Sequence, residues 1–375
     1  MNPNPSNEPA NPMHGIHLMR PGFLVSILLA LLVTTSAPAQ DLPPSVYEGV
    51  ERIVAVGDIH GDYDQLITVL RSAEVIDHKN RWIAGRTHLV QLGDLPDRGP
   101  DTLKVFEFLK KLESQARRRR GRVHVLIGNH DAMNMWGRLN YVTPGEYEAF
   151  VNRDSERNRD YEYKETVKWI EKNVPEEEWP DFEDGFREEW YAARPLGWVE
   201  HRWEWAPQGD IGKWVLGHLT VLKINDTLFL HGGLGPEFAD MSIDEINLTV
   251  QAILQKSDPH NLGMVHHEDG PLWYRGLALH PEETETEHLE RLLEHFGVNR
   301  IVLGHTVTRG AIIPRFDGRV ILADVGLTTY YGGRVACVLI EGERAWAIHR
   351  GVKIELPRSD DEVLPYLREV AALDP

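Results

Sequence analysis

Cysteine is almost missing from this chain. The single Cys337 among 375 residues excludes an intrachain disulfide framework and any thiolate-built metal cluster. Metal chemistry would have to rest on His, Asp, Glu and Asn. Positive charge is scarce as well. Lys and Arg number 40 against 58 Asp and Glu, a formal net charge of −18. That balance speaks against nucleic acid as a partner, because such binding needs a basic footprint. Runs long enough to cross a membrane are also lacking. The apolar stretch Phe23 to Val33 is too short for a hydrocarbon core of about 30 Å. With Arg20 before it and Ala37-Pro38-Ala39 after it, the stretch reads as a secretory signal over residues 1–39. The expectation is a secreted or periplasmic protein starting at or near Gln40, with no stable membrane span after cleavage.

What is present is the composition of a folded enzyme. Hydrophobic residues at 42% and charged residues at 26% exclude a disordered chain or a coiled coil. We read 40–50 as a linker, 51–350 as one large domain and 351–375 as a C-terminal tail. Within the domain, short apolar runs alternate with helical patterns. Ile53–Val56, His88–Leu92 and Val123–Ile127 read as strands, and Thr102–Arg117 reads as a helix. Asp62 can cap a second helix running to about Ser72. Further strands are expected at Leu219–Ile224, Thr227–Leu230, Ile301–Leu303, Val320–Ala323, Val335–Ile340 and Ala345–Ile348. A helix is expected over Thr286–Phe296, with Glu282 to Glu287 as a solvated loop and helix start. The pattern is that of a layered α/β fold, whose sites lie at the carboxyl ends of strands. Residues 135–214 break the rhythm and hold eight of the 11 tryptophans. They read as a helical insertion packed over the sheets.

The residues that carry chemistry follow strands. Asp58 with His60, Asp94 with Asp97, and Asn129 with His130 each close an apolar run, and His231 and His305 close two more. Oxygen and nitrogen donors converging in this way suit two hard-to-borderline divalent ions. A carboxylate can bridge such ions about 3.5–4 Å apart, and a shared water then loses a proton near neutral pH. One Asp after a strand is usually a turn or cap, so the joint pattern carries the inference. That pattern is Gly57-Asp58-Ile59-His60-Gly61, Gly93-Asp94-Leu95-Pro96-Asp97-Arg98-Gly99 and Gly128-Asn129-His130-Asp131.

These motifs resemble the signatures of calcineurin-like metallophosphoesterases, in the phosphoprotein-phosphatase branch. His231-Gly232-Gly233-Leu234 and Gly304-His305-Thr306-Val307 resemble the later motifs of that family. Asn134-Met135, Tyr141-Val142, Pro271-Leu272-Trp273-Tyr274-Arg275 and Asp324-Val325-Gly326-Leu327 are similar to the bacterial "Shewanella-like" phosphatases. The resemblance implies a layered β-sandwich flanked by helices and a dinuclear centre of Mn²⁺, iron or Zn²⁺. It implies Asp58, His60 and Asp94 at one metal and Asp94, Asn129, His231 and His305 at the other. His130 would be the general acid oriented by Asp97, with Arg98, Asn129 and Arg275 on the substrate phosphate. The implied reaction is hydrolysis of a phosphomonoester by direct attack of a metal-bridging hydroxide. Asp131 departs from the pattern by standing where the branch usually has Glu, and altered support of a ligand is expected there.

The implied substrates are phosphorylated protein or peptide, carrying phosphotyrosine or phosphoserine/threonine, or a small aryl phosphate. We expect the rim of the site to be built from the aromatic-rich insertion. A dinucleoside polyphosphate hydrolase shares the first three motifs and is the alternative enzyme. A non-catalytic phospholigand-binding protein is the alternative of another class. His218, in a second Gly-His pair, reads as a decoy, and Arg117 to Arg120 with Arg122 as a solvated helix end.

Overall fold

The computed structural model describes residues 41–182, 185–308 and 310–373. The expected signal over 1–39 lies outside them. Among the described residues no helix is long and apolar enough to cross a membrane. The strands in chain order are β1 (Val46–Tyr47), β2 (Arg52–Val56), β3 (His88–Gln91), β4 (Arg122–Val125), β5 (Val221–Ile224) and β6 (Thr227–Leu230), then β7 (Arg300–Leu303), β8 (Ile313–Arg315), β9 (Val320–Leu322), β10 (Ala336–Glu341), β11 (Arg344–His349) and β12 (Val352–Glu355). They form two six-stranded sheets, β1-β5-β6-β7-β9-β8 and β12-β11-β10-β2-β3-β4. This is the expected mixed α/β fold of two sheets flanked by helices.

Each sheet holds one parallel trio. β2, β3 and β4 run parallel in one, and β6, β7 and β9 in the other. Buried parallel strands read as continuous apolar runs because both faces are covered, and Ile53, Val54, Ala55 and Val56 are all nearly inaccessible. Six carboxyl ends from the trios therefore reach the same functional end of the fold. The sheets also join directly, through a parallel bridge between Leu126 and Leu219.

The helices cover these strands with their apolar faces. Asp62 caps the helix Tyr63–Ser72 by accepting from the Gln65 amide at 3.1 Å, and that helix buries Leu66, Ile67, Val69 and Leu70. The helix Thr102–Arg118 buries Val105, Phe106, Leu109 and Leu112. Its last turn ends in the exposed run Arg117 to Arg120, as the solvated reading expects.

Four segments differ from the sequence reading. The linker contains β1, which pairs in parallel with β5. The tail supplies β12, paired antiparallel with β11, and the helix Asp360–Leu373, whose Tyr366 donates from its hydroxyl to the Ile312 carbonyl at 2.8 Å. The helix read from Thr286 begins at Glu282, and Glu285 is buried with a carboxyl oxygen accepting from the Tyr274 hydroxyl at 2.7 Å. The helix Ile243–Lys256 was not anticipated, although Ser242 and Glu245 form the capping box that starts it.

The insertion is helical, with its middle packed on a small apolar cluster of Tyr163, Ile170, Val174, Phe186 and Trp190. Phe150, Trp205 and Ile211, nearer its ends, join the main core. Buried Arg202 anchors it by donating to the carbonyls of Asn134 (2.5 Å) and Met135 (3.5 Å) at the end of the helix Asn129–Trp136.

Candidate active site

Every ligand-type residue named above stands at a strand end. Asp58 and His60 follow β2, Asp94 follows β3, Asn129 and His130 follow β4, His231 follows β6 and His305 follows β7. All seven are buried. The turns that place them are strained. His60, Asp94, Asp97, Arg98 and His305 adopt left-handed backbone conformations, with φ of 49°, 57°, 73°, 66° and 63°. Such a conformation in a non-glycine residue costs roughly 1–3 kcal/mol and persists only where surrounding contacts impose it. Two glycines make the close approach possible. A Cβ on Gly128 would sit 2.1 Å from Asp94 Oδ1, and one on Gly304 would sit 2.6 Å from Asp58 Oδ1.

Asp94 is central. Its Oδ2 lies 3.8 Å from His60 Nε2, and its Oδ1 lies 3.3 Å from His231 Nε2. Two groups of side chains could each hold an ion, His60–Asp94–His130 and Asp94–His231–His305, and they share Asp94. Asp58 stands 4.0 Å from His60 Nε2 and 3.9 Å from His231 Nδ1. It also accepts from the His305 amide at 3.1 Å and 3.2 Å. The structure thus brings the predicted first-ion and second-ion residues into one cluster.

The donor chemistry fits cations. His60 Nδ1 donates to the Pro96 carbonyl at 3.0 Å, which leaves its Nε2 lone pair facing the two carboxylates. Burial, then the charge of His130, bring the His60 pKa down to about 3, so the ring stays neutral. His231 Nδ1 donates to the Leu92 carbonyl at 2.8 Å. Its Nε2 faces Asn129 Oδ1 at 2.8 Å and Asp94 Oδ1 at 3.3 Å. Donors about 2.1 Å from one ion and at right angles to each other stand about 3 Å apart. The pair is spaced as two ligands of one ion. Burial, helped by His231 and Arg275, holds His305 well below the usual imidazole range, and its Nε2 is buried without a hydrogen-bond partner.

The carboxylates complete the case. Burial, then Asp324 and Asp94, push Asp58 well above the usual carboxylate range. Asp94 is pushed up by burial, but His231, His130 and His60 outweigh this and hold it well below that range. Negative charge crowded in a water-poor site is an electrostatic well for divalent cations. Asp324 belongs to this crowd. In the sequence it stands out only within the Asp324-Val325-Gly326-Leu327 motif, but it is buried beside Asp58 and pushed up to about 6 by burial and then Asp94.

His130 borders the cluster. Its Nδ1 donates to Asp97 Oδ2, and its Nε2 lies 3.9 Å from Asp94 Oδ2. Asn134 Nδ2 holds the other oxygen of Asp97 at 3.0 Å. Burial lowers the His130 pKa, but Asp94 and Asp97 together outweigh it and leave the ring above its ordinary value. Asp131 accepts from the amides of Asp94 and Gly128, both at 2.8 Å. Asp131 thus braces the turn that carries Asp94.

Arg275 donates to the His305 carbonyl at 2.9 Å and to Thr306 Oγ1 at 3.0 Å, which fixes it beside the cluster. The Arg98 guanidinium lies 4.2 Å from the Tyr141 ring and 5.0 Å from the Tyr330 ring, and donates to the Tyr330 hydroxyl at 3.3 Å. Most tryptophans of the insertion are packed away from this rim: Trp136, Trp190, Trp198 and Trp205 are buried, Trp169 and Trp179 pack on the small insertion cluster, and Trp214 packs on Phe106, whereas Trp203 is exposed. Outside the insertion, Trp273 stands edge-on to His305 with ring centroids 5.8 Å apart. Of the insertion, Tyr141 reaches the site, and the turn Thr329–Tyr331 supplies the rest. That turn is pinned, because Asp62 Oδ2 accepts from Thr329 N at 2.8 Å and Gln65 Nε2 donates to the Gly333 carbonyl at 3.2 Å. His218 lies elsewhere. Its ring nitrogens meet the Trp214 carbonyl at 2.5 Å and Glu113 at 3.0 Å, on a cavity of about 300 Å³ that Tyr47 and His124 also line.

Comparisons with known proteins agree with this geometry. The family model "Calcineurin-like phosphoesterase" matches residues 51–309. An uncharacterised protein of Schizosaccharomyces pombe is 32% identical over 81% of this chain and 82% of its own. Shewanella-like protein phosphatase 2 of Arabidopsis thaliana is 30% identical over 75% of this chain and 73% of its own. The crystal structure of a cold-active protein-tyrosine phosphatase of a psychrophilic Shewanella species superposes with a TM-score of 0.63 at 28% identity, covering 85% of this chain and 84% of that one. The chain therefore belongs to the calcineurin-like phosphoesterases, in the Shewanella-like protein phosphatase group, and is a metal-dependent phosphatase with a dinuclear centre.

Proposed function

We propose that this phosphatase acts on phosphotyrosine in proteins and peptides, and on small aryl phosphates. The observation that carries the reading is the Arg98 guanidinium flanked by the rings of Tyr141 and Tyr330 beside the His130–Asp97 pair. Tyr330 is 58% exposed, so its ring stands at the mouth where a substrate side chain would enter. A phenyl phosphate ring can stack there as an alkyl phosphate cannot.

In this reading Asp58, His60 and Asp94 hold one ion, and Asp94, Asn129, His231 and His305 hold the other. Bound divalent ions would neutralise the phosphate and bring the pKa of a shared water toward neutrality. Arg98 and Arg275 hold phosphate oxygens, where guanidinium geometry favours paired hydrogen bonds. His130, with Nδ1 committed to Asp97, keeps a proton on Nε2 for the departing ester oxygen. As water adds to phosphorus and the ester P–O bond breaks, the ester oxygen takes that proton and leaves as an alcohol or phenol, with inorganic phosphate as the other product.

Tyrosine and serine phosphopeptides of one sequence should differ in kcat/KM, with phosphotyrosine higher. Tyr330→Ala should shrink the ratio through KM. A wild-type preference for phosphoserine would defeat the aromatic-rim reading and leave the metal chemistry untouched. We also propose that the protein is exported, on the signal pattern before Gln40. Intact mass of the native protein should give an N-terminus at or near Gln40, and a chain retaining Phe23 to Val33 would contradict it.

A further inference from the structure

The loop that carries Asp97 and Arg98 is bound, one backbone group after another, to the segment that opens the insertion. The Asp97 amide donates to Glu146 Oε2 at 3.1 Å. The Arg98 amide donates to the Tyr141 carbonyl at 3.1 Å. The Gly99 carbonyl accepts from Thr143 Oγ1 at 3.2 Å. Glu146 is the hub, since the same Oε2 accepts from Thr102 Oγ1 at 2.5 Å and its Oε1 accepts from the Thr143 amide at 3.1 Å. It is wholly buried. The contact is close throughout, for a Cβ on Gly145 would stand 2.5 Å from Pro100 Cβ.

This arrangement answers a physical question. Asp97 and Arg98 both hold left-handed conformations, which side chains with a Cβ avoid. Something must hold them there. The supply is local, because Thr143 and Glu146 form the capping box of the short helix Pro144–Ala149 and one oxygen of its glutamate is left over for the loop.

We propose that Glu146 is a positioning residue for the catalytic loop: it fixes the Asp97 backbone, and through it the orientation of His130. The proposal rests on the reading of His130 as the general acid. An amide cannot replace the Glu146 carboxyl fully. Two backbone N–H groups point at its two oxygens, and glutamine offers one oxygen only.

The test is a pair of substrates. Phenyl phosphate has a poor leaving group and depends on the acid, whereas p-nitrophenyl phosphate depends on it little. In the metal-loaded enzyme, Glu146→Ala is expected to lower kcat on phenyl phosphate by about 10- to 100-fold, the scale of an ångström-level misplacement. The loss on p-nitrophenyl phosphate should be clearly smaller, metal content should stay at the wild-type level, and Glu146→Gln should recover part of the loss. An equal loss on both esters, or a loss of bound metal, would reduce Glu146 to a structural residue and overturn the proposal. If the alanine variant fails to fold, Thr102→Val removes one contact of the hub and carries the same comparison. His130→Asn on the same pair checks the underlying reading. If its loss is equal on both esters, the acid assignment falls and the brace with it. If its loss depends on the leaving group and that of the Glu146 variants does not, the brace alone fails.

Discussion

Asp94→Ala should abolish turnover and strip the centre of metal. Asp94 is the one residue common to both ion-binding groups, with its two oxygens directed to different histidines, His60 at 3.8 Å and His231 at 3.3 Å. Its Oδ1 also accepts from the His130 amide at 2.8 Å, so its loss loosens the acid as well. Alanine would leave His231, His305 and Asn129 to hold the second ion without the carboxylate charge that offsets the desolvation of a cation. Metal analysis of the purified variant should give well under two ions per chain, and activity should fall to the background of the assay. Circular dichroism should stay close to wild type, because the strands beneath the cluster do not depend on it. Two ions per chain with full turnover would show that Asp94 is not the bridge. Prolonged chelation of the wild type should copy the variant, with recovery when a divalent ion is returned.

His130→Asn should lower kcat by about 10²–10⁴, the usual worth of a positioned general acid, while metal content holds. The outcome is informative because geometry alone leaves two roles available. His130 belongs to one of the two groups that could hold an ion, and a histidine bonded to a carboxylate through one nitrogen is a common arrangement for a ligand. Charge favours the acid role. Asp94 and Asp97 hold the ring above its ordinary pKa against burial, whereas His60 and His305 are both held low. A ligand must offer a lone pair, and an acid must keep a proton. Loss of metal parallel to the loss of activity would move His130 into the coordination sphere, with Asp97 as its orienting carboxylate.

Much of this site was legible in the chain. The strands before Asp58, His231 and His305 carry the apolar runs Ile53–Val56, Leu228–Leu230 and Ile301–Leu303 because these are buried on both faces, and such burial is a property the sequence displays directly. Glycines beside the ligands are equally visible, since Gly128 and Gly304 meet carboxylate oxygens at distances no side chain tolerates. Glu146 could have been found from Thr143-Pro144-Gly145-Glu146, a capping box with proline at its first helical position. That pattern announces a helix start. It does not announce that the glutamate has an oxygen left over for another loop.

Residue types at strand ends determined the metal-phosphatase chemistry, because ligand identity and order along the chain are local properties. Partnership was decided by the fold. Asp324 became part of the carboxylate crowd because β9 lies beside β7 in the sheet. The tryptophans of the insertion, which read as packing over the sheets, are spent on packing with the exception of exposed Trp203. The rim instead comes from Tyr141, Tyr330 and Tyr331, far apart in the chain and gathered around Arg98. The tail at 351–373 became a strand and a helix because an edge of β11 was open to pair and an apolar surface was there to cover. A sequence states which side chains are able to act as ligand, acid or wall. Which of them meet is set by long-range packing, and no local pattern encodes the contact between residues hundreds of positions apart.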